Sequence, residues 1–312
     1  MTKVDLITGF LGAGKTTFIK IYSDFLTRKG ERVHIIENEF GGLPIDARTL
    51  QEADCSVSQL TGGCMCCTGR EAFQKLLVAA AEEGFTRILV EPSGIYDVST
   101  FFSLVETSPV REICQLGSII TVADSCPETN LSPQARFLLF SQLIYSGCVV
   151  LSKTQLHTPA QVQAARRELQ QILTEHGSSR DLEAEGICVT APWDRLTPET
   201  LENISAAGYR MMEHTYEVMD HMTLFSTMML GGRFDTLPHL EAILHALVDT
   251  RKYGRVYRIK GYISDLNGTW YEISCSSSGC FIQKSSVKRG LFLVIGQDYD
   301  EPAIRQLFLP RR

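Results

Sequence analysis

Gly9-Phe10-Leu11-Gly12-Ala13-Gly14-Lys15-Thr16 sets glycines, a lysine and a hydroxyl at the spacing G-x-x-x-x-G-K-[ST]. Such a string wraps a phosphate group. The glycines free the backbone, its N–H groups converge on the anion, and a following helix N-terminus adds partial positive charge. The apolar run from Val4 to Thr8 predicts a short strand directly before it. Thr17 onward to Lys29-Gly30 predicts a helix stopped by glycine, so the string has the flanks it needs. Lys15 is expected on the β- and γ-phosphates and the Thr16 hydroxyl on Mg²⁺, with Gly12, Ala13, Gly14 and Thr17 completing the cradle. These residues predict binding of a nucleoside phosphate.

Two further strings suit the same ligand. Arg87 to Gly94 reads R-I-L-V-E-P-S-G, an apolar strand ending in an acid with glycine three residues later. An acid at that strand tip reaches Mg²⁺ through water, and the Gly94 N–H can meet the γ-phosphate, whose loss would release the following loop. Cys148 to Gln155 reads C-V-V-L-S-K-T-Q and stands where a base-reading element is expected. Guanine readers carry an aspartate where this chain has Gln155; Lys153 can still lay its stem over the base. A hydrogen bond to a charged group contributes about 1.5–3 kcal/mol against about 1 for a neutral one. Guanine preference is therefore expected to relax by about one or two decades, which leaves ATP open beside GTP.

Cys64, Cys66 and Cys67 place three thiols within G-G-C-M-C-C-T-G. Thiolates are soft donors that suit Zn²⁺ or Cu(I). Adjacent cysteines do not face one ion from regular structure, so a distorted loop or an outside ligand is expected. A redox cluster or an inert thiol patch is the other reading. Glu37 and Glu39 follow the second predicted strand. They could contact Mg²⁺, orient a water, donate oxygen to a thiol-bound metal, or simply be solvated. Cys114, Cys126, Cys148 and Cys188 are scattered and are expected to be small buried hydrophobes. Cys275 and Cys280 flank S-S-S-G, a predicted hairpin turn, where a dithiol or second metal site is the less ordinary reading.

Positioning these residues takes an α/β framework. Strands are predicted at 3–8, 32–37, 86–91, 117–122, 147–151 and 186–190, with helices at 15–29, 69–83, 133–144 and 158–176. That alternation argues for a P-loop fold with a mostly parallel sheet covered on both faces. After a linker at 206–222, residues 223–312 predict a smaller α+β domain. Its strands are expected at 223–230, 255–263, 269–275, 279–284 and 290–296, and its helices at 236–248 and 301–308. The nucleotide domain is thus 1–205. The chain has 312 residues, 44% of them hydrophobic, and a net charge of −6 without a basic run, which argues against nucleic acid as a partner. No apolar stretch reaches transmembrane length, and Asp5 interrupts any signal-like start, so a cytoplasmic protein is expected.

Taken together, GFLGAGKTT at 9–17, ENEFG at 37–41, GCMCC at 63–67, EPSG at 91–94 and SKTQ at 152–155 resemble the CobW-like (CobW/HypB/UreG class) metallochaperone GTPases. Arg258 to Tyr262 and Leu293 to Asp298 resemble that family's C-terminal domain. The resemblance implies a GTP- and Mg²⁺-dependent carrier that holds Zn²⁺ or Co²⁺ at Cys64, Cys66 and Cys67, with Glu37 as a further ligand or catalytic acid. It implies delivery to a client metalloenzyme or a cobalamin-pathway protein, and leaves a homodimer open. Two departures stand out: Gly42 replaces a carboxylate of the family's ENEFGE, and Gln155 replaces the guanine-reading acid. They motivate a second reading, a nucleotide-dependent adaptor that docks its client with little hydrolysis.

Overall fold

The structure is a computed structural model that describes residues 1–38, 55–60, 69–126, 131–211 and 225–308. Two compact units divide the chain, Met1–Met219 and Asp220–Arg312. Most of the predicted linker at 206–222 falls outside the described residues.

The first unit is built on β1 (Thr2–Thr8), β2 (Val33–Glu37), β3 (Ser56–Gln59), β4 (Arg87–Glu91), β5 (Cys114–Asp124), β6 (Cys148–Ser152) and β7 (Cys188–Val189). They form one seven-stranded sheet in the order β3-β2-β4-β1-β5-β6-β7, and every pairing in it is parallel. The strands are apolar on both faces because both faces are covered. Leu6, Ile36, Ile88, Val90, Ile119 and Val149 face one core, shared with α2 (Arg70–Glu82), α3 (Ser99–Val105), α5 (Pro133–Ile144) and α6 (Pro159–Glu175). Ile7, Ile35, Leu89, Ile120 and Val150 face the other, shared with α1 (Lys15–Arg28) and α7 (Pro198–Ser205). The short α4 (Val110–Ile113) leads into β5.

Helix starts are written locally. α5, α6 and α7 each begin Ser-Pro or Thr-Pro: the hydroxyls of Ser132, Thr158 and Thr197 accept the N3 amide, and proline takes the first helical position. In α1, Phe18, Ile19, Tyr22 and Leu26 recur at helical spacing and are buried, and Gly30 turns the chain out at φ 87°.

The second unit pairs β12 (Gly279–Lys284), β11 (Trp270–Ser276), β10 (Arg255–Asp265), β13 (Phe292–Gln297) and β8 (Ser226–Leu230) in that order, antiparallel throughout. The short β9 (Arg233–Phe234) adds parallel to β10. Leu240, Ile243, Leu244 and Leu247 of α8 (Leu237–Asp249) bury one face of this sheet, with Ile304 of α9 (Glu301–Leu307). The unit is α+β.

Several expectations shift in detail. β3, α3, α4, α7 and β9 are additional elements, and the predicted strand 186–190 contracts to two residues. Cys114 and Cys148 are buried as expected, whereas Cys188 is half-buried and Cys126 is exposed, against the expectation for those two. Cys126 lies beyond the end of β5, where its amide donates to Asp124 Oδ1 in a turn. No described helix is long and apolar enough to cross a membrane.

One buried polar cluster ties the sheet to α1. Arg87 Nη1 donates to both oxygens of Asp5 at 3.1 and 3.0 Å, Tyr22 Oη donates at 2.8 Å and the Ser118 amide at 2.7 Å. Burial lifts the Asp5 carboxyl above its usual range, while Arg87, Ser118 and Tyr22 pull it down. A Cβ at Gly117 would sit 2.0 Å from Asp5 Oδ1, so glycine leaves the carboxylate its place. Asp5→Ala leaves the buried Arg87 guanidinium only Glu31, at 3.4 Å, as a carboxylate partner and is expected to cost about 3 kcal/mol of stability, against about 1 for Tyr22→Phe. Urea denaturation of the two variants checks the difference.

Candidate functional site

The parallel register delivers several strand ends to one edge. β1 runs into the loop Gly9–Gly14, and α1 starts at Lys15 with Gly14 as its N-cap at φ 96°. Gly9 and Gly12 also have positive φ, 144° and 79°. A Cβ at Gly9 would lie 2.1 Å from the Val122 carbonyl oxygen of β5, which only glycine avoids. The first turn of α1 carries no acid, so nothing there opposes an anion. Lys15 is buried, and its Nζ reaches back across the loop to donate to Gly9 O at 3.0 Å. Thr17 is exposed two residues further on, and Ala13 of the loop is buried.

Side-chain alternation puts Glu91 on the same face of β4 as Leu89, the face that α1 covers. There Thr16 Oγ1 donates to Glu91 Oε1 at 2.8 Å. Glu37 lies directly beside Glu91 in the β2–β4 register and on the same face. Both acids are buried. Gln59 Nε2 of β3 donates to Glu37 Oε2 at 3.1 Å, and the Asn38 amide donates to Glu91 O at 2.8 Å. Thr16, Glu37 and Glu91 are therefore hard oxygen donors gathered at the start of α1. They suit Mg²⁺, which takes one or two carboxylates and leaves its other positions to phosphate and water. Among the described residues, no three of His, Cys, Asp and Glu converge on a point that would hold a metal ion without such help.

Gly94 packs against the phosphate loop itself: a Cβ there would stand 2.7 Å from Leu11 N. Gln142 Nε2 of α5 donates to Gly94 O at 3.2 Å and fixes the turn. Lys153 adopts φ 58°, and its Nζ donates to Gly12 O at 3.2 Å and to Asp124 Oδ2 at 2.5 Å. It thus braces the loop against the end of β5. Gln155 is exposed in a single turn after β6 and lines a cleft of about 400 Å³ with Pro192, Asp194 and Arg195.

Two residues of this region were not legible in the sequence. Trp193 donates from Nε1 to Leu151 O at 2.9 Å, stacks its ring at a tilt on Phe18, and would touch any Cβ at Gly14. Asp194 faces the same cleft as Gln155. The only sequence signal was a Trp-Asp pair after a proline, with nothing to pair it with residues forty positions earlier. Cys64, Cys66, Cys67 and Glu39, by contrast, lie outside the described residues.

A family model described as the CobW/HypB/UreG nucleotide-binding domain matches residues 3–178. Over 133 residues the chain is 35% identical to a zinc chaperone CobW of Pseudomonas aeruginosa, covering 39% of this chain and 35% of that protein. Over 188 residues it is 32% identical to the zinc chaperone YeiR of Escherichia coli, covering 57% and 56%. Over 311 residues it is 25% identical to zinc-regulated GTPase metalloprotein activator 1 of Schizosaccharomyces pombe, covering 86% and 73%. The chain spans between about a third and just over half of the first two relatives. With the family model matching more than half of its residues, the chain belongs to the CobW/HypB/UreG family through that family's nucleotide-binding domain.

Proposed function

We propose that this protein is a GTP-hydrolysing metallochaperone that carries Zn²⁺ on Cys64, Cys66 and Cys67 and hands it to a client metalloprotein. The observation that carries this reading is the Thr16–Glu91 hydrogen bond beneath the Lys15 loop, with Glu37 beside it in register. Family membership and the zinc-chaperone names of two relatives support the choice of cargo.

In this reading Lys15 exchanges its bond to Gly9 O for oxygens of the β- and γ-phosphates, and the loop amides with the α1 N-terminus hold the rest of the charge. Thr16 and Glu91 form the Mg²⁺ side of the site. Mg²⁺, when bound, would neutralise charge developing on the phosphate oxygens. Glu37, oriented by Gln59, supplies a carboxylate able to align the attacking water or to complete the thiolate site. Gly94 offers its amide to the γ-phosphate edge, and because it already leans on Leu11, loss of that phosphate alters the packing of loop against loop.

The base is assigned to the cleft shared by Gln155 and Asp194. Asp194 brings there the negative charge that Gln155 lacks, so guanine preference survives in weakened form. This favours GTPase chemistry over the adaptor reading.

Lys15→Ala is expected to weaken a non-hydrolysable GTP analogue about 10- to 100-fold, the loss of one or two charge-assisted contacts, in a calorimetric titration. Gln155→Asp should raise the ratio of GTP to ATP affinity by about 10- to 100-fold, and Asp194→Asn should lower it, in competition binding. For the cargo, Zn²⁺ affinity is measured by chelator competition under the analogue and under GDP. The proposal expects different affinities in the two states and a collapse of both in Cys66→Ala. Equal affinities that Cys66→Ala leaves intact would end the carrier reading.

A further inference from the structure

The second unit holds a pair of cysteines that nucleotide and zinc chemistry leave unused. β11 and β12 form a hairpin whose last pair, Ser276 with Gly279, leaves only Ser277 and Ser278 in the turn. A turn that short closes on a hydrogen-bonded pair, so the next pair along, Cys275 with Cys280, is non-hydrogen-bonded. The far end of the ladder agrees. The Ser285 amide donates to Trp270 O at 2.8 Å, and counting in twos from there again leaves Cys275–Cys280 between the bonded pairs. Residues so placed have Cα atoms about 4.5 Å apart. That lies inside the span of about 4.4–6.8 Å that a disulfide bridges without moving the backbone.

The two thiols also point the same way. Tyr271, Ile273 and Cys275 alternate into the core under α8, and Cys280 and Ile282 pack against that core from β12. Cys275 is fully buried and Cys280 is half-buried on the strand at the sheet edge, so the pair has an inner member and an outer one. The groups that bear on them come from α8 and β10. They are His245 and Asp249, 2.8 Å apart through Nδ1 and Oδ2, with Glu241 near His245, and Arg258. Asp249 holds the His245 imidazole above its usual range. A hydrogen bond between the two thiols, helped by His245 against burial, brings Cys280 below its usual range, and the same bond together with burial drives Cys275 up. Cys280 is thus the more accessible, activated sulfur and Cys275 the shielded reserve. No metal-binding group of three is found among the described residues, which favours thiol chemistry over a second ion site.

We propose that Cys275 and Cys280 are a redox-active dithiol, a modification site at which a peroxide closes the β11–β12 hairpin with a disulfide. The Cys280 thiolate attacks one oxygen of hydrogen peroxide, the O–O bond breaks, and the departing hydroxide takes a proton and leaves as water. The Cys280 sulfenic acid is then attacked at sulfur by Cys275. The S–S bond forms, the S–O bond breaks, and the Cys275 proton leaves with the hydroxyl as a second water. The dithiol loses two electrons and two protons, and peroxide is reduced to two waters.

Trypsin releases both cysteines on one peptide, Gly261–Lys284, apart from the other eight cysteines of the chain. The reduced full-length protein is treated with hydrogen peroxide, quenched with N-ethylmaleimide in denaturant and digested. The proposal expects this peptide two hydrogens lighter and without maleimide, and expects two maleimides after dithiothreitol. Two maleimides at a peroxide dose that oxidises the exposed Cys126, or Cys280 as a sulfinic acid beside an alkylated Cys275, would overturn it. Cys280→Ser, at the half-buried position, should abolish closure while leaving the circular dichroism spectrum unchanged. Should Cys275→Ser prove unstable, this variant still decides. His245→Gln should slow closure about threefold or more and move its pH profile upward. An unaltered profile would remove His245 from the site.

Discussion

The parallel register of β1, β2 and β4 is the constraint on which the nucleotide site depends. In a parallel sheet all carboxyl ends fall on one edge, and neighbours in register present side chains to the same face. Glu37 and Glu91 are such neighbours, and the loop after β1 enters between them and β5. A one-residue slip of β2 or β4 would turn its acid to the opposite face, away from Thr16. The Asp5–Arg87–Tyr22 cluster lies on that same α1-covered face, with Asp5 at the middle of β1 and Arg87 at the start of β4. It ties β1, β4 and α1 together and so holds the register that the site needs.

The phosphate loop is shaped by what presses on it. Val122 O leaves no room for a side chain at Gly9, Leu11 leaves none at Gly94, and the Trp193 ring closes in on Gly14. Lys153 braces Gly12 from outside, and Lys15 crosses within. A cradle held from β5, β6 and the segment after β7 has little conformational freedom left to lose on binding, which is how preorganisation raises affinity.

Much of this was legible in the sequence because it is local. The loop, its flanking strand and helix, and the helices at 133–144 and 158–176 all depend on residues a few positions apart. So does the hairpin turn between Cys275 and Cys280. What was hidden depends on residues far apart in the chain. β3 carries only Val57 as a strong strand former within S-V-S-Q, and pairing with β2 defines it. Trp193 acquires its place from Leu151 and Phe18. Asp194 joins the cleft lined by Gln155 only once the turn after β6 is set beside it. Cys126 looked like a core residue by type, yet its exposure follows from where β5 stops.

The same register suggests how cargo and nucleotide would communicate in the proposed carrier. β3 pairs with β2 so that Gln59 stands beside Glu37, and Glu37 beside Glu91. One row of three side chains therefore runs from the Mg²⁺ side of the site to the strand that immediately precedes the cysteine motif in sequence. Gln59 donates to Glu37, and Leu60 N donates to Glu37 O at 2.9 Å. In that proposed carrier, a change in what Glu91 and Thr16 hold would reach Gln59 and Leu60 across two strand neighbours. Coupling of this kind is a free-energy difference between two arrangements, and it is reciprocal: zinc on the thiolates would bias the nucleotide site by as much as nucleotide biases zinc.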